Sequence, residues 1–329
     1  MIDAPLLDVR DLTVKINRDG NEITALDNVS FSVAPGEVLG IVGESGAGKS
    51  ITGAAIIDLL VPPLKRTGGA ITLQGQRIDQ LRGKAIRNIR GGRIGFVFQD
   101  PMTSLNPVIP IGRQLCDTIR SHTKVSSDRA KAKALEWLDR VGLPDPVVNF
   151  KRYPHQLSGG MRQRVVIALA LCADPALVIA DEPTTALDVS VQAHILQLLR
   201  DLHRESRVGM LLITHDLGVI AKMADRVAVF YAGRVAEIGP VAELFHSPRH
   251  PYTRGLINAT PMPAEDGAIR LDQIPGAMPG LGAVPAGCAF NPRCVKAEAD
   301  CRVTVPSLLD DGAATTYSCF HPLERQAAQ

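Results

Sequence analysis

The sequence predicts an α/β protein with a largely parallel sheet and helices on both of its faces. Three observations support this fold class. Short apolar runs of strand length at 177–180 and 208–213 enclose a segment with helical spacing of its apolar residues. Another such run, at 38–42, leads into a glycine-rich segment followed by a second helical pattern. The chain of 329 residues is long enough to bury a sizeable core.

The glycine-rich segment at 43–50 fits the phosphate-loop pattern of glycine, four residues and glycine-lysine-serine. Its glycines allow a nest of inward N–H groups, and the following helix adds its positive dipole. We expect a nucleoside triphosphate here, with Lys49 at the terminal phosphates and Ser50 on magnesium; a plain glycine-rich turn is the alternative. The predicted binding residues are Gly43, Glu44, Ser45, Gly46, Ala47, Gly48, Lys49, Ser50 and Ile51.

Strand patterns dominate the first hundred residues. The segment 6–42 predicts strands, since Val29, Phe31 and Val33 alternate with serines. Further strands are predicted at 71–73 and at 94–98, and the second ends on Gln99. The prolines and polar residues of 100–107 predict a loop.

Helical spacing dominates from 100 to 172, which we interpret as a mostly helical insert. The α/β pattern then resumes with the strand at 177–180 and a helix that contains Ile195 and Leu199. After the strand at 208–213, the segments 227–230 and 235–238 predict a hairpin across Ala232-Gly233.

The composition excludes several classes of protein. No apolar run approaches the roughly 18 residues of a membrane helix, and the N-terminus shows no secretory signal pattern. The net charge of +2, from 36 basic and 34 acidic residues, gives no footprint for nucleic acid. We therefore expect a cytosolic protein that would serve a membrane only as a peripheral subunit.

The C-terminal stretch from residue 247 is rich in proline and glycine, and its apolar density is too low for an independent core. Four of the six cysteines lie in it, at 288, 294, 301 and 319. In a reducing compartment this grouping favours a metal site over disulfides. The spacing leaves zinc and iron–sulfur open, because no pair shows the two-residue spacing of zinc knuckles or ferredoxins.

Several motifs resemble those of ATP-binding cassette (ABC) proteins, in the order that is typical of the family. The segment 157–164 is similar to the signature motif, 177–182 to the Walker B strand, and 186–188 to the D-loop. Gln99 matches the Q-loop glutamine, and His215 the switch histidine. The resemblance implies a RecA-like P-loop NTPase core of ABC type, with a helical subdomain at about 100–172.

A narrower resemblance is to the ATPase subunits of dipeptide and oligopeptide importers and the related nickel and glutathione systems. The segments 99–107 and 248–253 and the four-cysteine tail carry it. It implies a nucleotide-binding domain over 1–246 and a small Cys-rich extension over 247–329. No nucleotide motif in the core draws on the tail, so we expect nucleotide binding to be independent of it.

The resemblance implies roles for the motif residues. Glu182, His215 and Gln99 are the expected catalytic group, and Ser50, Gln99 and Asp181 are the expected magnesium ligands. A strand-end cap is the alternative for Asp181, and an ordinary loop histidine for His215. Ile16 takes the position where many cassettes stack an aromatic ring on adenine. The signature residues expected to contact the nucleotide of a partner chain are Leu157, Ser158, Gly159, Gly160, Met161 and Gln163. The D-loop residues are Ala186, Leu187 and Asp188.

The resemblance also implies the cofactors ATP and Mg²⁺ and a 4Fe–4S cluster bound by Cys288, Cys294, Cys301 and Cys319. Zinc is the alternative metal, and His321 is a possible substitute ligand. The implied partners are a second, related but different ABC ATPase, two transmembrane permeases and a periplasmic or lipid-anchored substrate-binding protein, with no nucleic acid. The implied location is peripheral, on the cytoplasmic face of the inner membrane. A soluble ABC ATPase acting on nucleic acid or ribosomes, and a small-molecule kinase, are the competing hypotheses.

Overall fold

The computed structural model describes residues 4–18, 20–185, 187–260, 273–310, 312 and 314–325. These residues form two compact units that interleave along the chain. The first consists mainly of Val33–Glu37 and Leu73–Leu212, and the second of Asp8–Ser32, Val38–Thr72 and the chain from Ile213 onward. In the described part of the chain, no helix combines the length and apolar character needed to cross a membrane.

Twelve strands and eleven α-helices are assigned within the described residues. The strands are β1 Leu7–Arg18, β2 Asn21–Val33, β3 Val38–Val42, β4 Leu64–Leu73, β5 Gln76–Arg77, β6 Ile94–Val97, β7 Leu177–Asp181, β8 Gly209–Ile213, β9 Arg226–Tyr231, β10 Arg234–Pro240, β11 Leu309–Asp310 and β12 Thr316–Tyr317. The helices are α1 Lys49–Ile56, α2 Lys84–Ile89, α3 Pro101–Ser104, α4 Ile111–His122, α5 Ser127–Arg140, α6 Pro146–Asn149, α7 Gly159–Leu171, α8 Val189–Ser206, α9 Leu217–Met223, α10 Val241–His246 and α11 Pro251–Asn258.

In the first unit, β6 and β7 pair in parallel, and β8 lies next to β7. All five residues of β7 are buried, which explains why the sequence shows a continuous apolar run there rather than an alternating one. Because carboxyl ends of parallel strands meet at one edge of a sheet, Gln99 after β6 and Glu182 after β7 come together.

Between β6 and β7 the described chain forms helices, as the sequence predicts for this stretch. Helices α4, α5 and α7 pack on one another, with Leu115, Trp137 and Leu138 buried among them. One detail of the prediction is wrong: the segment 100–107 is not a plain loop but contains the short helix α3. The Asp100 side chain accepts a hydrogen bond from the Met102 N–H at 2.8 Å and caps this helix, a local contact that prolines and polar residues do not reveal.

In the second unit, β3 and β9 pair in parallel, and β9 and β10 form the antiparallel hairpin predicted across Ala232-Gly233. The short strands β12 and β11 continue this ladder from β10. They come from the C-terminal extension and were not predicted, because strands of two residues carry no periodic signal. The strands β2, β1 and β4 lie side by side, in that order, in a separate sheet.

The C-terminal extension belongs to the second unit and is held by contacts with other parts of that unit. Glu237 in β10 is fully buried, and its carboxylate accepts the backbone N–H groups of Arg249 and His250 at 2.7 and 2.9 Å. Burial raises the pKa of Glu237, although these N–H donors act in the opposite direction. Burial also lowers the pKa of His250 to about 4, so this imidazole is neutral at physiological pH.

Candidate functional site

The phosphate loop has the backbone shape that its glycines predict. Gly43 has a φ of 152°, and a Cβ there would lie 2.3 Å from the Phe230 carbonyl oxygen. Gly48 has a φ of 102° and precedes the first residue of α1. Only glycine tolerates both positions, so the loop turns sharply from the end of β3 to the N-terminus of α1. This is the geometry of an anion-binding loop.

Lys49 lies inside this loop. Its side chain is buried, and its Nζ donates hydrogen bonds to the carbonyl oxygens of Gly43 at 2.8 Å and Glu44 at 3.0 Å. The ammonium group is therefore held at the centre of the loop, where a phosphate group would exchange for these carbonyls. Ser50 and Ile51 lie in the first turn of α1, and Ser50 is exposed to solvent.

His215 belongs to the same unit as the phosphate loop. It lies between β8 and α9, where Asp216 caps α9 by accepting the N–H groups of Gly218 and Val219 at 2.7 and 3.2 Å. The preceding residue, Thr214, donates its N–H to the Ile41 oxygen of β3 at 3.1 Å. The His215 loop thus starts beside the strand that leads into the phosphate loop. Ile16, the predicted adenine contact, is a half-buried residue of β1.

In the first unit, the predicted base Glu182 is held by two hydrogen bonds. Its Oε2 accepts from Gln99 Nε2 at 3.1 Å and from Thr185 Oγ1 at 2.7 Å. Its backbone φ is 45°, an unfavourable conformation for a residue with a Cβ, and such strain is typical of functional positions. Asp181, the last residue of β7, is buried beside it. The structure therefore brings Gln99, Asp181 and Glu182 together at the carboxyl ends of the neighbouring strands β6 and β7.

The signature segment begins α7. Ser158 is the N-cap residue, and its Oγ accepts the Met161 N–H at 3.3 Å, so Gly159 and Gly160 present the first N–H groups of a helix of 13 residues. Gln163 is buried, and its Nε2 donates to the Pro183 oxygen at 2.7 Å. This bond joins the signature helix to the segment that follows Glu182.

The predicted D-loop lies between Glu182 and α8. Asp188 takes the N-cap position of α8, and Leu187 is half-buried. A Cβ on Gly159 would lie 3.7 Å from the Leu187 side chain, and one on Gly160 would lie 2.8 Å from Val191 of α8, so the signature segment approaches the D-loop and the start of α8. The third D-loop residue of the prediction, Ala186, lies outside the described residues.

The four C-terminal cysteines line one small cavity, together with His321 and Phe320. Two segments of the cavity wall approach each other where the Cys288 N–H donates to the Cys301 oxygen at 2.8 Å. Gly287 permits this approach, since a Cβ there would lie 2.3 Å from that same oxygen. All four cysteines are free thiols, and burial raises the pKa of Cys288 and Cys294 and that of Cys319 to about 11.

The spacing of possible ligand atoms around this cavity bears on the kind of metal it suits. Among the described residues, Asp300, Cys301 and His321 have ligand atoms within 4.8 Å of one another, and the four thiols do not. A single ion needs its ligands that close, whereas a cubane binds one thiolate on each of four irons and holds its sulfurs farther apart. Asp300, Cys301 and His321 therefore lie close enough together for a single ion, while the four thiols share one cavity.

The expectation that no nucleotide motif draws on the tail is wrong. Arg293, directly before Cys294, forms an ion pair with Glu44 of the phosphate loop, with Nη1 3.0 Å from Oε1. Tyr252 of the extension accepts the Glu44 N–H at 3.0 Å. Sequence analysis missed these two residues and Thr185. Only Tyr252 lay in a segment that the narrower resemblance had singled out.

Comparison with known families agrees with this arrangement. The ABC transporter family profile matches residues 26–185, which include the phosphate loop, Gln99, the signature and Glu182. The profile of the oligopeptide/dipeptide transporter C-terminal region matches residues 236–301. The fold and the nucleotide motifs together define an ABC-type ATPase.

Known relatives narrow the family. A protein of Brucella abortus (strain 2308), provisionally named a peptide import ATP-binding protein, is 47% identical over 91% of this chain and 90% of its own length. A similarly named protein of Brucella melitensis biotype 1 is 48% identical over 94% of both chains. The chain belongs to this family of ABC transporter ATP-binding proteins.

Solved structures agree with the fold. A dimeric ATP-binding cassette, MJ0796, in a post-hydrolysis state with ADP and Pi, is 30% identical, with a TM-score of 0.64 over 71% of this chain and 98% of its own. CbiO1 from Clostridium perfringens, part of the cbiONQ transporter complex, is 29% identical, with a TM-score of 0.63 over 74% of this chain and 91% of its own.

Proposed function

We propose that this chain is the ATP-hydrolysing subunit of an ABC importer that takes up dipeptides, oligopeptides or a related solute such as nickel or glutathione. The observation that carries the proposal is the joint presence of a complete set of cassette motifs and the peptide-transporter C-terminal region. The names of the relatives, which describe peptide import, support the same class of substrate. Nothing comparable supports the nucleic-acid hypothesis.

In this proposal, Glu182 positions and polarises the water that attacks the γ-phosphate. Phosphoryl transfer needs charge neutralisation and positioning more than covalent catalysis, and Lys49 with magnesium supplies the neutralisation. Ser50, Asp181 and Gln99 are the proposed magnesium ligands, and His215 the proposed γ-phosphate donor. The hydrogen bonds of Gln99 and Thr185 to Glu182 support its role, because they fix a carboxylate that must face one water.

The signature segment serves the nucleotide of a partner cassette in this proposal. The N-terminus of α7, where Ser158 is the cap residue, suits an anionic phosphate. The dimeric structure of the cassette MJ0796 is consistent with pairing of two cassettes. The partner is a second ABC ATPase, and a related but different chain is our preferred choice. Ile16 and the D-loop residues Leu187 and Asp188 keep their predicted roles.

We further propose that Cys288, Cys294, Cys301 and Cys319 hold a 4Fe–4S cluster. The shared cavity of the four thiols supports a cluster, and His321 and Asp300 near Cys301 keep zinc as the alternative. When bound, the cluster supplies cross-links that stabilise the proline- and glycine-rich extension.

The proposed transporter includes two membrane permeases, a periplasmic or lipid-anchored substrate-binding protein, and this chain bound peripherally at the cytoplasmic face of the inner membrane. A permease helix is proposed to dock beside the segment 100–107, where Met102 and Val108 expose 49% and 77% of their surface. Leu105, at 2% exposure, is buried and is unsuited to the docking role that its position in this segment suggests.

Cross-linking tests the permease docking directly. A photoreactive side chain at Met102 is expected to capture a hydrophobic membrane subunit in intact membranes, because this exposed residue adjoins the Q-loop. The same group at Val61, which is 71% exposed in the other unit, serves as the matched control and is expected to capture none. Recovery of soluble partners alone from Met102 would contradict the proposed docking.

A further inference from the structure

A buried arginine of the C-terminal extension contacts the phosphate loop. Arg293 ends a 3₁₀ turn, Asn291–Arg293, and only 6% of its side chain is exposed. Its Nη1 lies 3.0 and 3.2 Å from the two Glu44 carboxylate oxygens, and its Nη2 lies 3.2 Å from Oε2. Both terminal nitrogens therefore engage one carboxylate, which is a strong and directional form of ion pair.

Three groups of Glu44, its N–H, its carbonyl and its carboxylate, form hydrogen bonds. Its N–H donates to Tyr252 Oη at 3.0 Å, and its carbonyl accepts from Lys49 Nζ at 3.0 Å and from the Ala47 N–H at 3.2 Å. Two of these groups, the N–H and the carboxylate, are held by residues outside the loop. The loop segment from Gly43 to Ala47 is thus fastened to the extension at Glu44.

The arginine is itself rigidly placed. Its Nε donates to the Pro275 oxygen at 2.8 Å, and its Nη1 lies 3.3 Å from Tyr231 Oη. Its guanidinium also lies 5.8 and 5.9 Å from the ring centroids of Tyr231 and Phe290. Tyr252 completes the frame, with its ring centroid 4.6 Å from that of Tyr231 and 5.3 Å from that of Phe290. An arginine fixed in this way can hold the Glu44 carboxylate in one position.

We propose that Arg293 is a positioning residue for ATP binding, through which the C-terminal extension completes the phosphate loop. The inference deepens the ATP-binding role of this chain and rests on it. Two effects act in the same direction. The ion pair restricts the loop to one arrangement before nucleotide arrives, which lowers the entropy lost on binding. It also neutralises a carboxylate inside a loop that must receive negatively charged phosphates.

The first test measures the Kd for magnesium-ATP by equilibrium dialysis on the full-length chain. Arg293→Met keeps the apolar stem and removes the charge, and about tenfold weaker binding is expected, within the usual range of coupling between two sites. Arg302→Met is the matched control, since Arg302 is an exposed arginine that also adjoins a cavity cysteine. Its Kd is expected to stay within about twofold of wild type.

A double-mutant cycle separates positioning from general loss of structure. Glu44→Gln alone is expected to weaken binding by only about threefold. Loss of the ion pair loosens the loop and weakens ATP binding, while loss of the negative charge removes a repulsion of the phosphates and partly offsets this effect. In Arg293→Met/Glu44→Gln the unpaired carboxylate is absent, so binding is expected to be no weaker than in Arg293→Met alone. In the assembled transporter, Arg293→Met is expected to raise the KM for ATP and leave kcat within about twofold.

Three results would overturn the inference: wild-type affinity in Arg293→Met, an equal loss in Arg302→Met, or a double variant whose loss is the product of the single losses. If Arg293→Met does not fold, Arg293→Lys replaces it. Lysine keeps the positive charge but lacks the planar guanidinium that engages the carboxylate through two nitrogens. About threefold weaker binding would therefore support the inference, and wild-type affinity would overturn it. Wild-type chain that binds no ATP would instead refute the ATP-binding role itself.

Discussion

Glu182→Gln is expected to bind ATP with wild-type affinity and to lose roughly 10²–10⁴-fold in hydrolysis rate, the usual loss for a positioned general base. The amide keeps the size of the carboxylate and can still accept the Thr185 hydroxyl, so the strand edge keeps its shape. It cannot take a proton from water. Binding before hydrolysis remains possible, and we expect the variant to trap the closed, ATP-bound pair of cassettes.

The measurement is ATP turnover with permeases present, together with the Kd for ATP. Glu205→Gln is the matched control, because Glu205 is a largely exposed glutamate of α8 whose pairing with Arg140 lies on the surface. Such surface pairs contribute little, so turnover of the control is expected to equal wild type. Wild-type turnover in Glu182→Gln would remove Glu182 from the catalytic role.

Protein purified without oxygen is expected to be brown and to contain close to four iron and four acid-labile sulfide per chain, as a cubane with four cysteine ligands requires. The four thiols line one cavity, so each can supply one ligand when a metal displaces its proton. Cys294→Ser is expected to bleach the colour and to make the chain after residue 285 sensitive to protease.

Cys116→Ser is the matched control, since Cys116 is a free cysteine of α4, outside the extension. This variant is expected to keep the colour and the protease resistance of the wild type. One tightly bound zinc in a colourless protein would keep a structural metal site and refute the cluster. Four thiols that react freely with alkylating agents in the native protein would refute both.

Much of the fold follows from local sequence patterns. The apolar run of β3, the glycines of the loop and the apolar face of α8 each specify a local conformation, and the hairpin of β9 and β10 was predicted at the correct turn. The motif residues Gln99 and Glu182 were predicted, and their hydrogen bond follows from their places at the ends of neighbouring parallel strands.

Other features depend on contacts between distant residues and leave no local signal. Arg293 and Glu44 are 249 positions apart, and neither residue type indicates which carboxylate or guanidinium it will meet. Thr184 and Thr185 are the same residue type, and the sequence does not show which of the two hydroxyls donates to the Glu182 carboxylate. The sequence predicts that the extension has no core of its own, but it does not show the ring packing of Tyr252 with Phe290 or the contacts of Glu237 with Arg249 and His250.

The central claim, that this chain couples ATP hydrolysis to peptide import, is tested most directly by uptake of a radiolabelled dipeptide. Proteoliposomes would contain this chain, its partner cassette and the two permeases, with the substrate-binding protein outside and ATP inside. We predict that the dipeptide accumulates only with ATP, and that Lys49→Ala, which removes the ammonium from the phosphate loop, abolishes accumulation. ATP hydrolysis at an undiminished rate, without accumulation of dipeptide, oligopeptide, nickel or glutathione, would contradict the account.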